Sequence, residues 1–336
     1  MNSLNGSGLA EGPMCDSLVD SVYRPTRWLP GATLKTLYAY YRKPAANFCY
    51  RRERWDTPDG DFIDLDWLDG SQVNSPLVVL FHGLEGCSGS HYALGLMNQV
   101  KRVGWQGVVP HFRGCSGELN RLARSYHSGD SAEIDWILRR IKSNHPHRSI
   151  CVVGVSLGGN ALLKWLGEQE QSAQAVVDGV VSVSAPVDLE AAGNALDRGW
   201  RRVVFTRPFL LSLKPKALEK IATFSLPIDP AAMRRAATFR QFDDLYTAPV
   251  HGFKNADDYW FRASSKPWLK KIRVRTLLIN ALDDPFLPSQ ALPRSDEVSD
   301  MVSLEFPEYG GHVGFVGAGF PGDLDWLPRR VLSYFY

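Results

Sequence analysis

The chain carries a serine between two glycines, Gly154-Val155-Ser156-Leu157-Gly158, where one residue pattern gives way to another. Before it runs an apolar stretch ending Ile150-Cys151-Val152-Val153; after it comes Gly159-Asn160-Ala161-Leu162-Leu163-Lys164-Trp165. The short continuous apolar run reads as a buried strand and the segment that follows as a helix. A turn this tight folds the backbone back on itself, and flanking glycines permit that by removing Cβ clashes. The serine is left at the tip with its hydroxyl exposed at the top of a sheet, the arrangement of a nucleophile elbow. A glycine-flanked serine after a strand is also an ordinary turn, so the reading depends on what else the chain supplies.

Two further pieces stand where acyl transfer needs them. Upstream, Pro76-Leu77-Val78-Val79-Leu80-Phe81 reads as a second buried strand and runs into His82-Gly83-Leu84-Glu85-Gly86. The backbone amides of Leu84 and Leu157 would then point at one carbonyl oxygen and stabilise the charge that develops on it. Downstream, Val274 to Ile279 is another apolar run, followed by Asp283-Asp284-Pro285-Phe286-Leu287-Pro288; 302–306 alternates like a last strand and precedes Gly310-Gly311-His312. Serine needs a neutral imidazole to take its proton, and the imidazole needs a carboxylate to fix its tautomer. His312 is the histidine this arrangement selects. Asp283 and Asp284 compete for the carboxylate role; Asp284 is preferred because Pro288 lies four residues on. The chain order serine, aspartate, histidine is that of one hydrolase architecture and differs from two unrelated protease orders.

The other histidines carry no metal signal. His91, His111, His145, His147 and His251 show no paired spacing, and no C-x-x-C accompanies them, so neither a metal nor a cofactor is expected. His127, in Tyr126-His127-Ser128-Gly129-Asp130, opens an amphipathic stretch after the glycine-rich loop 111–117 and reads as a helix start.

Taken together, HGLEG at 82–86, FRGCSGE at 112–118, YHSGD at 126–130, GVSLGGNALLKWLGE at 154–168, DDPF at 283–286 and GGHVGF at 310–315 resemble the YheT-like branch of the α/β-hydrolase superfamily. Its animal relatives are membrane-associated α/β-hydrolase-domain proteins. The resemblance runs from about Tyr23 to the C-terminus and extends through FRQFDD at 239–244, TAPVHG at 247–252 and DYWF at 258–261. It implies a serine hydrolase with Ser156, Asp284 and His312 as the triad and an esterase or lipase-like activity. Bacterial relatives commonly carry a P-H-x-Q-T element near the N-terminus; here Pro30-Gly31-Ala32-Thr33-Leu34-Lys35-Thr36 stands in its place, so no role transfers to it.

The remaining pattern predicts one α/β domain. A hairpin over 48–55 and 62–67 is followed by strands near 76–82, 107–111, 149–155, 176–184, 274–280 and 302–306. Helices are expected near 89–103, 129–144, 157–170, 289–298 and 323–335. Alternation of this kind gives a mainly parallel, eight-stranded type of sheet covered by helices on both faces. Residues 188–268 interrupt it and are expected to form an inserted helical cap. Residues 1–22, rich in Asn, Ser and Gly, are expected to be mobile. Five unpaired cysteines and the lack of a signal peptide or a long apolar span point to a reduced, cytoplasmic setting.

The formal charge of +2 over 336 residues argues against nucleic acid as a partner. A small-molecule or lipid ester is the expected one, and the oligomeric state is left open. Within the insertion, Arg198 to Lys220 interleaves aromatic and basic residues. Two readings stand: a cap helix with solvated charges, or a weak peripheral contact with an anionic lipid surface.

Overall fold

The computed structural model describes residues 22–72 and 75–336. The segment expected to be mobile therefore lies, apart from Val22, outside the described residues.

Eight strands form one sheet: β1 (Arg51–Asp56), β2 (Phe62–Leu68), β3 (Leu77–Phe81), β4 (Gln106–Pro110), β5 (Ile150–Val155), β6 (Gly179–Val183), β7 (Thr276–Ile279) and β8 (Val302–Glu305). Their spatial order is β1-β2-β4-β3-β5-β6-β7-β8. The β1–β2 and β2–β4 pairings are antiparallel and all others parallel, so the predicted hairpin forms one edge. The six strands from β3 onward are short, with mostly apolar runs, because both faces are covered. In β5, Ile150 and Val152 face one core, with Ile137 and Leu138 of the helix Ser131–Asn144 and Leu162 of the helix Leu157–Gln169. Cys151, Val153 and Val155 face the other, with Met97 of the helix His91–Arg102 and Val331 of the helix Trp326–Phe335.

Two elements differ from expectation. The stretch 289–298 is not a helix but two short 3₁₀ turns, Ser289–Ala291 and Ser295–Glu297. Pro293 between them lacks an amide proton and disfavours helical geometry at Leu292 before it. Conversely, Ala32–Tyr41 is a helix that no periodicity announced; its Ala39 and Thr36 are buried against the rest of the fold.

Between β6 and β7 the chain is largely helical. Leu189–Leu196 comes first, then one continuous helix over 199–223 that contains a π turn at Arg202–Thr206, then shorter helices including Pro230–Arg235 and Ala256–Ala263. Asn160, fully buried on Leu157–Gln169, anchors the far end of this insertion: its Nδ2 donates to the carbonyls of Ser128 and Ala263 (both 2.8 Å), and its Oδ1 accepts from the Ser265 amide (2.9 Å).

The helix Leu157–Gln169 lies directly on β3. A Cβ built on Gly158 would stand 2.5 Å from the His82 carbonyl oxygen and 2.6 Å from that of Phe81. Those are backbone atoms at the end of a paired central strand and cannot yield. Gly158→Ala is expected to cost about 1–3 kcal/mol of unfolding free energy through overpacking. A urea titration followed by circular dichroism checks this; an unchanged midpoint would show that the helix can lift off β3.

Candidate active site

Because β3, β5, β6, β7 and β8 run parallel, the loops after their carboxyl ends gather along one rim of the sheet. Ser156 leaves β5 with φ 53° and ψ −120°, a positive-φ backbone that a residue with a Cβ seldom adopts. It is held there from both sides: its amide donates to the Val183 carbonyl at 2.8 Å, and its carbonyl accepts the Asn160 amide at 3.0 Å. Gly154, at the other end of the pentapeptide, is paired with Phe81 in the sheet.

The structure brings three of the predicted side chains into one hydrogen-bonded chain. His312 Nε2 lies 3.0 Å from Ser156 Oγ, and His312 Nδ1 lies 2.9 Å from Asp284 Oδ2 and 3.2 Å from Oδ1. The Asp284 side chain is fully buried and its Oδ1 also accepts the Phe286 amide at 2.8 Å. Asp283 does not reach the imidazole; its carboxylate accepts the Gly311 amide at 2.8 Å and so braces the loop that carries His312. With a carboxylate fixed at Nδ1, the neutral ring keeps its proton there and presents Nε2 to the serine as an acceptor.

Several groups hold His312 that no local pattern pointed to. Its amide donates to Thr36 Oγ1 at 2.8 Å, so the unannounced helix Ala32–Tyr41 supports the site from a sequence distance of 276 residues. The next residue is clamped on both sides, the Val313 amide by Ser184 Oγ (3.2 Å) and its carbonyl by His91 Nε2 (3.0 Å). The Phe286 ring stacks face to face on the imidazole, with centroids 3.8 Å apart and planes 7° from parallel. Phe286 in turn meets Phe205 and Phe209 of the insertion.

The loop 82–86 lies against the serine, where a Cβ on Gly83 would stand 3.1 Å from Ser156 Cβ. His82 is completely buried, which pushes its pKa down to about 3 and keeps it neutral. It donates from Nδ1 to the Gly83 carbonyl and accepts the Phe112 amide at Nε2. Along the loop, the Gly83 amide is taken by Tyr92 Oη and the Glu85 amide by Tyr126 Oη, both at 2.9 Å. The amide between them, that of Leu84, has no acceptor among the described residues. Leu157, as the first residue of its helix, has no intrahelical acceptor either. Glu85, at φ 56°, receives the Tyr126 hydroxyl on Oε1 at 2.9 Å and pairs through Oε2 with Lys216 of the helix 199–223, also at 2.9 Å.

Ser156, Leu84 and Leu157 open onto a cavity of about 460 Å³. Its roof is apolar, with Leu196, Phe209, Leu213 and Trp260 of the insertion; Tyr246, His251 and Lys220 stand around it as polar groups. Phe205 is buried against Phe286 instead of lining the cavity, which separates it from Phe209.

The loop 112–118 borders the same cavity through Gly114, Cys115 and Gly117, and His127 and His251 stand at it too. The rings of His127 and His251 meet at a 60° tilt with centroids 4.6 Å apart, and burial pushes the His251 pKa down to about 3. Arg113 is buried and ties its loop to Glu133, Asp59 and Asp61 at 2.6, 2.8 and 3.1 Å. Among the described residues no group of three or more His, Cys, Asp or Glu side chains is placed to hold a metal ion. Within the same residues, no helix is long and apolar enough to cross a membrane.

Known proteins share this arrangement of fold and sequence. A family model described as the alpha/beta hydrolase fold matches residues 76–318. The chain is 39% identical over 311 residues to YheT of Escherichia coli (strain K12), named a candidate esterase, with 91% of each chain covered. It is 28% identical over 320 residues to phospholipase ABHD3 of Mus musculus, covering 93% of this chain and 77% of that one. Among solved structures, the Pyrococcus furiosus esterase Pf2001 superposes with a TM-score of 0.55 over 87% of this chain and 97% of that one; at 16% identity this is a likeness of fold. With an eight-stranded sheet of this order, a family model matched over most of its length and a relative at this identity, the chain belongs to the α/β-hydrolase family, in its YheT-like branch.

Proposed function

We propose that the protein is a serine hydrolase that cleaves carboxylic esters through an acyl-enzyme. The observation that carries this reading is the chain Asp284–His312–Ser156 ending at the wall of a mostly apolar cavity that Leu84 and Leu157 also line. His312 Nε2 takes the hydroxyl proton as Ser156 Oγ attacks the ester carbonyl. The carbonyl oxygen gains negative charge and is received by the Leu84 and Leu157 amides, each donor of this kind contributing about 3–4 kcal/mol to the transition state. The imidazolium, stabilised by Asp284, then passes its proton to the departing alcohol oxygen as the carbon–oxygen bond breaks. A water repeats the sequence with His312 as base, releasing the acid and restoring the serine. No cofactor takes part in these steps.

The insertion 188–268 acts as the cap over the acyl group. A cavity of about 460 Å³ with Leu196, Phe209 and Leu213 in its roof suits a short- to medium-chain acyl group of a simple ester or acylglycerol. The kinship with a protein named phospholipase favours one alternative, a phospholipid ester, with the same chemistry at the carbonyl. A p-nitrophenyl ester chain-length series run beside phosphatidylcholine separates the two by kcat/KM.

Ser156→Ala is expected to abolish covalent labelling by a fluorophosphonate probe and to lower ester turnover by about 10⁴–10⁶-fold. Its melting temperature should stay close to that of the parent. Undiminished turnover would remove the serine mechanism and leave a binding protein or another chemistry.

The two acids should separate cleanly. Asp284→Asn is expected to reduce kcat by about 10⁴-fold, because the ring loses the partner that fixes its tautomer. Asp283→Asn keeps an acceptor for the Gly311 amide and is expected to be mild. Steady-state kinetics of both variants on one ester decides; a reversed ranking would move the role to Asp283.

Tyr126 is a positioning residue for the Leu84 amide, since its hydroxyl bonds both the backbone and the carboxylate of the next residue. Tyr126→Phe should lower kcat about tenfold, the weight of a buried hydrogen bond, with KM little changed. A rise in KM alone would assign Tyr126 to substrate binding.

A further inference from the structure

The helix 199–223 has two faces of opposite character. Phe209, Leu213, Lys216 and Lys220 turn inward to the cavity. On the outer side Trp200, Val203 and Leu211 are 52%, 57% and 65% exposed. Val203 and Leu211 line a shallow groove of about 470 Å³, whose rim is made by Arg202, Arg207, Lys214 and Arg235 and contains no acidic residue. Among the described residues, no carboxylate lies within 4.0 Å of Arg198, Arg202, Arg207 or Arg234; Asp197 acts on Arg202 only from farther off, and Arg235 reaches Asp229 at 3.9 Å. From 198 to 220 the chain carries seven basic residues and one acid, Glu219.

Neither half of this pattern is explained by the fold. Val203 and Leu211 are too exposed to add much to the core, Trp200 reaches it only at the edge of Phe205, and guanidinium groups a few residues apart repel one another. Together they match one kind of partner. Apolar side chains that project between cations insert at the boundary between headgroups and acyl chains while the cations meet the anionic headgroups, and tryptophan favours that depth. A free anion would use the arginines but not Trp200, Val203 or Leu211.

The geometry points to the outer face of helix 199–223 and the adjoining groove as a docking surface for an anionic lipid bilayer. Docked this way, the element whose inner side roofs the cavity rests on the membrane. The inference concerns binding and does not depend on the ester chemistry.

The test uses the full chain carrying Ser156→Ala, so that no hydrolysis alters the membrane, in sedimentation with large vesicles. One set is phosphatidylcholine alone and the other contains about one third phosphatidylglycerol. The protein should bind the second set, and raising salt from about 0.05 M to about 0.5 M should release most of it. Two variants are made separately and checked for unchanged thermal unfolding: Arg198→Gln/Arg202→Gln/Arg207→Gln, and Trp200→Ser/Leu211→Ser. The first should lower partitioning about a hundredfold, at roughly fivefold for each charge removed. The second should also weaken it, which a purely electrostatic contact would not show. Equal binding to both vesicle sets, no binding at low salt, or binding unaffected by both variants would each overturn the assignment.

Discussion

The positive-φ turn at Ser156 is the constraint on which the site rests. A residue with a Cβ at φ 53° costs of order 1–3 kcal/mol and persists only where its surroundings leave no alternative. Here β5 delivers it from between β3 and β6, the Val183 carbonyl takes its amide, and the helix that follows begins at once on top of β3. The same squeeze that forbids a Cβ at Gly158 aims the hydroxyl away from the sheet toward the rim. Strain at the serine and close approach of helix to strand are two consequences of one packing requirement.

Around that turn the polar contacts serve mainly to hold loops. His312 is fixed by its own amide on Thr36, Val313 by Ser184 and His91, and Gly311 by Asp283. Phe286 stacks on the imidazole and at the same time touches Phe205 and Phe209 of the insertion. On the opposite side Lys216, from the same inserted helix, pairs with Glu85 next to the Leu84 amide. The insertion is thus tied to the histidine through an aromatic stack and to the loop 82–86 through an ion pair, so anything that moves helix 199–223 is felt at both.

That helix joins the two environments argued for the protein. Its inner side closes a cavity beside the serine, and its outer side presents apolar groups between basic side chains. The π turn at Arg202–Thr206 lies at the junction, where one extra residue per turn shifts the register of side chains. Phe205 and Thr206 there are buried while Arg202 and Val203 are exposed.

Much of this was legible along the chain. Apolar runs of strand length marked most of the central parallel strands, because buried parallel strands need an unbroken apolar sequence and that need is local, while the edge hairpin and the last strand showed in turn chemistry and alternation. The Gly154–Gly158 pentapeptide and the positions of His312 and the Asp283-Asp284 pair after strand ends were visible for the same reason. The helix expected over 289–298 gives way to two short turns because Pro293 lacks an amide proton and disfavours helical geometry just before it. The tertiary structure decided what depends on chain separation. Which aspartate meets the ring is set by a one-residue difference in direction within a turn. Thr36, Tyr126 and Lys216 reach the site across 276, 41 and 131 residues, respectively, to His312, Glu85 and Glu85. No periodicity records such contacts, since they exist only once the parallel sheet has brought the loop ends to one rim.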